Sequence, residues 1–466
     1  MRNYHSDLTR EFAAAGFGDV RLTRRLQKVA NAATKRPAAG IPEMMGNEAA
    51  LEGTYRFLNN ERVGLEAILL PHIKMTVKRC SEHPAVLVVH DTTKFQFNGE
   101  VPREGLGKLP GGGQVFFGHF SLAVRPGEAR DVLGVVALRT VFRTKKRGKK
   151  TPKQMRQDKD RESLRWIQCA EESGELLRAH TRCIHVMDRE ADSYEIFCAL
   201  SKSDDGFVVR LQNSRSVVTD DGQKLTIREI TPVCETKAQR TVRLSRRGKR
   251  VGSAQAKIHP SREERTAVLN ISAARVTFTR GGYWDKSLPE TLELNIVDGT
   301  EVSPPAGHEP VQWRLCTTEP IDTVEQVLAI VDIYRSRWVI EEYFRSLKTG
   351  CAYEKRQLES KEPLLNWLAV LAVVAWRLLR LRSLARQDPK RPAREVLTMV
   401  QLLLLREIRR TPLSDEPTVH DAFIAIAKLG GFLRRNGEPG WQTLGRGFDT
   451  LLNLELGWYL AKGKKM

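Results

Sequence analysis

The chain has 466 residues, which is enough for two to four domains and a large buried core. Its 76 Lys and Arg exceed its 56 Asp and Glu and give a formal charge of +20, while 41% hydrophobic residues exclude a disordered basic tail. Seven cysteines without a CxxC motif or regular spacing exclude a disulfide scaffold and a thiolate zinc site. The first hypothesis is therefore a folded basic protein with a polyanionic partner.

Membrane insertion is not expected from the sequence. The N-terminus has no apolar stretch long enough for a signal peptide. The most apolar run, residues 364–375, is too short for a spanning helix, which needs about 20 apolar residues. We therefore expect an intracellular protein in which this run is a buried helix.

Two windows hold most of the excess positive charge. Residues 143–157 and residues 236–258 each contain eight Lys and Arg and no acidic residue. They could be two solvated loops that only aid solubility. Because strand-like apolar residues accompany them, we favour basic rims of a phosphate-binding surface, without a preference for DNA or RNA.

The first 150 residues predict a helical module followed by strands. Asp19 precedes a helix with apolar residues at helical spacing, and a second short helix covers residues 47–60. A compact apolar strand over residues 85–90 ends at Asp91. Two more strands follow a glycine-rich turn, near residues 116–124 and 132–142.

Strands and helices then alternate, as in an α/β core. A helix (161–181), a strand (183–187) ending at Asp188, a second helix (190–201) and a second strand (207–211) come in turn. Between residues 237 and 308 apolar and polar residues alternate, which predicts an antiparallel β insertion. One more strand covers residues 313–317, and helix dominates from Thr323 to the end.

The predicted fold class is α/β, with a core that carries an antiparallel β insertion and is flanked by helical N- and C-terminal domains. We place the domain boundaries as follows: 1–70 helical N-terminal domain, 71–236 first part of the core, 237–308 β insertion, 309–372 second part of the core, and 373–466 helical C-terminal domain.

Two aspartates stand where open α/β sheets place their sites. Asp91 and Asp188 each follow an apolar strand, at its carboxyl end. Each also has a structural explanation, because Asp is a preferred turn and N-cap residue. Taken singly, each aspartate is better explained by capping than by catalysis.

A third carboxylate changes that balance. At 100° per residue, Tyr334, Arg337, Glu341 and Lys348 fall within an arc of about 60° on one predicted helix, beside an apolar face. An ordinary charged stripe with an i,i+4 ion pair is the alternative. A carboxylate flanked by cations also suits a metal ion that must meet phosphates.

The pattern Tyr334-x2-Arg337-x3-Glu341-x6-Lys348 resembles the signature of the insertion-sequence-four group of bacterial DDE transposases. The resemblance extends over nearly the whole chain, through the segments GDVRLTRRL, LEGTYRFLNN, VVHDTTKF, MDREADSY, FVVR, WRLCTTEPI and AIAKLGGF. It implies an RNase H-like catalytic core whose DDE triad is Asp91, Asp188 and Glu341.

The resemblance also implies roles in DNA binding. Tyr334, Arg337 and Lys348 match positions that hold phosphates of the transposon end, and Arg210 lies in a matching segment near the site. Trp313 matches an aromatic residue that stacks on a flipped base, although core packing would be favoured without the resemblance. A separate set in the N-terminal domain matches contacts to the DNA end: Arg25, Lys35 and Arg56.

The implied cofactor is Mg²⁺, two ions per active site held by Asp91, Asp188 and Glu341, with Mn²⁺ as a substitute. The implied partners are the double-stranded inverted-repeat ends, target DNA and a second copy of the chain. The C-terminal domain would serve dimerisation in the synaptic complex. The location would be the bacterial cytoplasm, at the nucleoid.

The expected reaction is cut-and-paste transposition: nicking of each end, hairpin formation and resolution, and strand transfer. One alternative is a metal-dependent nuclease of the same fold that does not join DNA. Another is an inactive DNA-binding descendant that acts as a regulator. The retained carboxylates argue against the regulator, and the set of Tyr, Arg and Lys around Glu341 argues against the simple nuclease.

Overall fold

The computed structural model describes most of the chain. The described residues are 8–99, 102–108, 113–127, 130–143, 151, 154, 158, 161–233, 236–244, 261, 263–308, 310–408, 413–433 and 439–463. Most of the basic window 143–157, and most of the window 236–258 after residue 244, lie outside them. The prediction that these windows form the rims of a binding surface therefore stays a prediction.

The described residues form a mixed α/β structure, as predicted. The strands are β1 (Ala85–Phe97), β2 (Gly107–Lys108), β3 (Gln114–Val124), β4 (Val132–Val141), β5 (Arg182–Met187), β6 (Gly206–Arg210), β7 (Ser216–Thr219), β8 (Lys224–Thr226), β9 (Thr236–Leu244), β10 (Arg265–Thr279), β11 (Thr291–Glu301) and β12 (Gln312–Thr317).

Helices precede, separate and follow these strands. The α-helices are α1 (Thr9–Phe12), α2 (Val20–Lys35), α3 (Ile41–Met45), α4 (Glu48–Leu58), α5 (Leu65–Cys80), α6 (Leu164–Leu177), α7 (Tyr194–Leu200), α8 (Ile227–Val233), α9 (Val324–Ser336), α10 (Trp338–Arg345), α11 (Lys361–Gln387), α12 (Met399–Glu407), α13 (Val419–Leu429) and α14 (Trp441–Ala461).

The chain divides into two compact units. Unit 1 comprises residues 1–149, 175–181 and 338–466, and unit 2 comprises residues 150–174 and 182–337. Two boundaries predicted from the sequence, at residues 70 and 372, fall inside α5 and α11, because both helices continue to bury apolar side chains past those points. The predicted division into five segments, two of which form one core, stays a prediction.

Unit 1 contains an antiparallel sheet in which β3 lies between β1 and β4. The predicted end of β1 at Asp91 is wrong. The strand continues to Phe97, because Thr93, Phe95 and Phe97 keep burying alternate side chains and the ladder with β3 extends to the pair Phe97 and Gln114. Asp91 therefore lies in the middle of a strand, opposite Phe120.

Helix α11 forms much of the core of unit 1. It is long and apolar enough to cross a membrane, but 72% of its most apolar window is buried inside the protein. Its Trp376 indole N–H donates to the carbonyl of Val132 in β4, at 2.8 Å. Its buried Asn366 donates to the carbonyls of Leu58 and Val63, at 2.9 and 3.0 Å. The buried helix predicted over residues 364–375 is confirmed.

Unit 2 contains a sheet in the order β5-β6-β12-β11-β10, with β7 and β9 both pairing to β10 and β8 pairing to β7. Strands β5 and β6 are parallel, and β9 to β12 are antiparallel to their neighbours. Apolar side chains from α6, α7 and these strands form one core. The antiparallel pairing predicted over residues 237–308 is present in the described part.

The segment that carries the predicted signature is not one continuous α-helix. Helix α9 ends at Ser336 and α10 begins at Trp338, so Arg337 lies between them with right-handed helical dihedral angles. Residues Ser346–Gly350 then form a π-helical turn that contains Lys348. The prediction of one α-helix for the four signature residues is therefore wrong at Lys348, since a π turn does not advance by 100° per residue.

Candidate functional site

Asp188 lies at the carboxyl end of β5 in unit 2, as predicted. Its Oδ1 accepts a hydrogen bond from the backbone N–H of Glu190 at 2.8 Å, which caps the 3₁₀ turn Arg189–Ala191. Among the described residues, none donates a hydrogen bond to its Oδ2. Capping and catalysis are thus compatible here, because capping uses one carboxylate oxygen and the other is left for a ligand.

Arg189, the residue after Asp188, lies near other cations and a phenol within unit 2. Partial burial lowers the pKa of the Arg189 guanidinium, and the charges of Arg210 and Arg337 lower it further, whereas Tyr334 and Asp188 raise it. Arg189 therefore lies within electrostatic reach of these four side chains. The guanidinium groups of Arg189, Arg210 and Arg337 thus form a local positive field that suits a phosphate group.

Arg210 and Trp313 come from adjacent strands of the same sheet. Arg210 ends β6, and its guanidinium donates to the carbonyl of Gln312 in β12 at 2.8 Å. The next residue of β12, Trp313, is half-buried, and its ring lies 5.9 Å from the buried ring of Tyr334 at 63°. The indole keeps exposed surface for a further contact, so Trp313 is not a fully buried core residue.

Asp91 and the helix that carries Glu341 both belong to unit 1. Residues directly opposite in an antiparallel pair share a face of the sheet, so Asp91 projects from the same face as Phe120. The ring of Phe120 packs at 5.5 Å against Tyr343 and at 5.6 Å against Phe344, both in α10. Helix α10 therefore covers the face that bears Asp91, and its Glu341 is half-buried.

Backbone and side-chain bonds fix the carboxylate of Asp91. The N–H of Thr92 donates to its Oδ1 at 2.7 Å. On the opposite face of the strand, the Thr92 hydroxyl bonds to Nδ1 of the buried His119, at 2.9 Å. A neighbouring buried pair, Ser121 and Nδ1 of His90, lies at 2.8 Å. These contacts hold β1 against β3 on both sides of Asp91.

Lys348 lies beside the same strand, in unit 1. Its Nζ donates to the carbonyl of Lys94, lies 3.7 Å from a carboxylate oxygen of Glu354 and stands 5.4 Å from the centre of the Phe95 ring. Burial lowers the pKa of Lys348, while the charge of Glu354 raises it. The ammonium group is thus anchored on β1 at Lys94, three residues from Asp91 along the strand.

The three predicted N-terminal contacts lie in helices of unit 1. Arg25 in α2 is half-buried, and its guanidinium lies over Gly53 of α4, where a Cβ would come within 2.6 Å of Cζ. Arg56 in α4 is exposed and pairs with Glu52 at 3.5 Å. Lys35 is exposed at the end of α2, beside a cavity of about 280 Å³ that α14 also lines.

The three predicted metal ligands are divided between the units: Asp91 and Glu341 lie in unit 1, and Asp188 lies in unit 2. Over the described residues, no group of three or more His, Cys, Asp and Glu side chains is arranged to hold a metal ion. The donor chemistry nevertheless fits, since all three are carboxylates and Mg²⁺ prefers hard oxygen ligands. The metal site stays a prediction.

Two residues near Asp188 were missed by sequence reasoning. Arg189 and Asp192 both lie in the segment MDREADSY, directly after β5. Arg189 joins the positive field described above, and the carboxylate of Asp192 is bonded to the loop that follows β6. The position of Arg189 directly after Asp188 could have indicated its role, whereas the contacts of Asp192 to residues 20 positions away could not be read from sequence spacing.

Two family models match the chain. The model for transposase DNA-binding matches residues 5–63, which include Arg25, Lys35 and Arg56. The model for the transposase DDE domain matches residues 144–377, half of the chain. The matched residues include Asp188 and Glu341, and also the predicted DNA contacts Arg210, Trp313, Tyr334, Arg337 and Lys348. Asp91 lies outside both matched segments. The mixed α/β structure agrees with the RNase H-like core of such domains, and the chain belongs to the DDE transposase family.

Proposed function

We propose that this DNA transposase is a metal-dependent cut-and-paste enzyme of the insertion-sequence-four group, most like the transposase of transposon five. The observation that carries the proposal is the cluster at the end of β5, where Asp188 has one carboxylate oxygen without a donor among the described residues, precedes Arg189 and lies beside Arg210 of the neighbouring strand. Such a cluster can hold a scissile phosphate next to a metal-binding carboxylate.

The catalytic triad in this proposal is Asp91, Asp188 and Glu341, which would together hold two Mg²⁺, with Mn²⁺ as a substitute. When bound, such ions activate the attacking oxygen and stabilise the leaving oxygen of an in-line displacement. The chain's contribution is orientation. The N–H of Thr92 fixes one oxygen of Asp91, and the N–H of Glu190 fixes one oxygen of Asp188.

Each chemical step is a phosphoryl transfer. Water first attacks the phosphorus at a transposon end, which breaks the bond to the flanking DNA and leaves a 3′-hydroxyl. That hydroxyl attacks the opposite strand and closes a hairpin, and water then reopens the hairpin. The same 3′-hydroxyl finally attacks a phosphorus of target DNA and releases a 3′-hydroxyl of the target. In every step the oxygen of water or of a 3′-hydroxyl thus replaces the 3′-oxygen that leaves the phosphorus.

The cations and aromatic residues hold the DNA during these steps. Arg210, Arg337, Tyr334 and Lys348 would bind phosphates of the transposon end, since charge-assisted hydrogen bonds to phosphate are among the strongest available to side chains. Trp313 would stack on a base displaced from the hairpin, which recovers about 1–3 kcal/mol. Its half-buried ring, supported by Tyr334, has the exposed surface that this requires.

Recognition of the end would fall to Arg25, Lys35 and Arg56 in the matched DNA-binding segment. Arg56 and Lys35 are exposed, and Arg25 is fixed over Gly53. We further propose a homodimer in the synaptic complex, with dimerisation through the C-terminal domain, and a location at the nucleoid of the bacterial cytoplasm.

The test is incubation of the protein with Mg²⁺ and a labelled duplex that carries the inverted repeat flanking its gene. Joined products support the transposase, cut products alone indicate a nuclease, and a shifted band alone indicates a regulator. Asp188→Ala should abolish cleavage and leave end binding nearly intact. The matched control is Glu190→Ala, an exposed acid in the same turn, which should keep its cleavage activity.

A further inference from the structure

The buried carboxylate of Asp192 connects two turns of unit 2. Its side chain is fully buried, four residues after Asp188. One oxygen, Oδ2, accepts from the backbone N–H groups of Gln212 and Asn213, both at 2.7 Å, and from the Asn213 amide at 3.1 Å. The other, Oδ1, lies 2.6 Å from the guanidinium of Arg215. One side chain thus anchors the loop 212–215.

That loop starts two residues after Arg210, which ends β6. Strands β5 and β6 are parallel neighbours, and their last paired residues are Met187 and Val209. The next residue on each strand is Asp188 on β5 and Arg210 on β6, so the two lie side by side just beyond the β5–β6 ladder. On its other edge Arg210 still pairs with Leu315 of β12, and the N–H of Leu211 donates to the carbonyl of Arg314 at 2.8 Å. Strand β12 and the bonds of Asp192 together therefore set how the backbone leaves β6.

We infer that Asp192 is a positioning residue, which fixes Arg210 relative to Asp188 so that the guanidinium meets the phosphate held at that carboxylate. This inference rests on the proposed function of Asp188 and Arg210. Asp192 does not touch DNA, because its side chain is fully buried. It acts by accepting hydrogen bonds from two backbone N–H groups of an exposed loop, which the buried carboxylate thereby holds in one conformation.

The opposite ends of the same strands provide a matched control. Buried Glu319, just after β12, receives two bonds from the guanidinium of Arg182 at 2.9 and 2.6 Å. Arg182 starts β5, and Glu319 lies against Gly206 at the start of β6. Glu319→Ala therefore removes a buried carboxylate–arginine pair from the same strands, far along them from Asp188.

The experiment measures the nicking rate at saturating end duplex, per folded molecule, for Asp192→Ala, Asp192→Asn and Glu319→Ala. Loss of positioning should lower the rate of Asp192→Ala by about 10- to 100-fold. Asp192→Asn keeps an oxygen for the two backbone N–H groups and should restore most of the rate. Glu319→Ala should stay within about 2-fold of the wild type, since distant sites act independently.

A double-mutant cycle with Arg210→Ala separates positioning from general destabilisation. If Asp192 acts through Arg210, Asp192→Ala should change the rate of the Arg210→Ala protein by less than about 3-fold. Full additivity, or an equal loss in Glu319→Ala, would overturn the inference. Should Asp192→Ala not fold, Asp192→Ser replaces it, because the shorter side chain cannot reach both backbone N–H groups.

Hydrogen exchange provides a readout that does not depend on cleavage. Amides of residues 211–215 should exchange faster in Asp192→Ala than in Glu319→Ala, and unchanged exchange there would also overturn the inference. If the wild-type protein does not cleave the end duplex, the proposed function fails. The exchange result would still decide whether Asp192 fixes the loop after Arg210.

Discussion

The two units surround their carboxylates with different side chains. In unit 2, Asp188 is followed by Arg189, which lies within electrostatic reach of Arg210, Arg337 and Tyr334. In unit 1, Asp91 projects from a face that α10 covers with the aromatic residues Tyr343 and Phe344, and the nearby cation Lys348 is already engaged by a backbone carbonyl and Glu354. We therefore expect the arginines of unit 2 to hold the scissile phosphate beside Asp188, whereas unit 1 supplies the rigidly mounted carboxylates of Asp91 and Glu341 and further contacts to the DNA end.

The largest expected effect is on catalysis by a carboxylate of unit 1. Glu341→Ala should lower the cleavage rate by about 10³-fold, because losing a metal ligand removes several kcal/mol of transition-state stabilisation. End binding should change little, since the arginines of unit 2 are intact. Gel-shift affinity and single-turnover cleavage measure both. Comparable losses of end affinity and of cleavage rate would contradict the expectation that Glu341 acts in catalysis and not in DNA binding.

The next largest effect concerns the stability of unit 1 in acid. Buried Glu11 accepts from Arg79 at 2.6 Å and lies 2.7 Å from Nδ1 of His72, whose Nε2 accepts from the N–H of Val135. Burial raises the pKa of Glu11, but bonds and charges of His72 and Arg79 outweigh this and lower the pKa from 4.5 to about 2. Such a carboxylate stabilises the fold above pH 4.5, and the stability is lost as pH falls towards 2.

For Glu11→Gln we expect a loss of about 3 kcal/mol in the free energy of unfolding at pH 7. The difference in the free energy of unfolding between variant and wild type should decrease as pH falls below 4.5. Burial lowers the pKa of His72, so its protonation adds to the loss of stability below its ordinary value of 6.5. Urea denaturation at several pH values measures this difference, with the exposed Glu48→Gln as control. A difference independent of pH contradicts the assignment to the Glu11 charge.

A smaller effect is expected for the aromatic surface of unit 2. Trp313→Ala should slow hairpin formation by about 5- to 150-fold relative to nicking, because stacking worth about 1–3 kcal/mol is lost only when a base is displaced. Nicked and hairpin products are followed over time on one labelled end. The measurement uses a temperature at which the variant is folded, since removing a large buried ring alone destabilises a protein. Equal slowing of both steps would mean that Trp313 only packs.

The smallest expected effect tests whether Arg337 of unit 2 contacts a phosphate of the DNA end. Arg337→Ala should weaken end binding by about 10-fold through one lost charge-assisted bond, and it should reduce the log–log salt slope by about 1. The matched variant is Arg335→Ala, two residues away, whose guanidinium already pairs with Asp332 at 2.8 Å. An unchanged salt slope in Arg337→Ala would remove this residue from the phosphate contacts.

Local patterns predicted much of the fold. The N-cap residues Asp19 and Thr323 start α2 and α9 where expected, since short polar side chains satisfy the first free N–H groups of a helix. Asp188 follows its strand as expected. The end of β1 could not be predicted, because its continuation past Asp91 depends on pairing with β3, a strand 23 or more residues further along the chain.

The candidate site was predictable in its residues more than in its geometry. The spacing of Tyr334, Arg337, Glu341 and Lys348 identified the signature, but the interruption at Arg337 and the π turn depend on packing. Tyr343 and Ser346, for example, donate to the carbonyls of Ala372 and Ala375 in α11, both at 3.0 Å. Contacts of this kind are set by tertiary structure and carry no local signal.

Hydrogen bonds between the N-terminal and C-terminal helices of unit 1 affect how the chain folds. Arg36 donates to Asn453, and Asn366 bonds to the carbonyls of Leu58 and Val63, so partners lie 417, 308 and 303 residues apart. Contacts between residues so distant in sequence form only after the entropy of closing a very long loop has been overcome, and folding slows as such contacts accumulate. At a synthesis rate of about 5–20 residues per second, α2 waits tens of seconds on the ribosome for its partners in α14. The helices within residues 5–63 are thus synthesised early, but their long-range contacts form only after the C-terminal helices have been made.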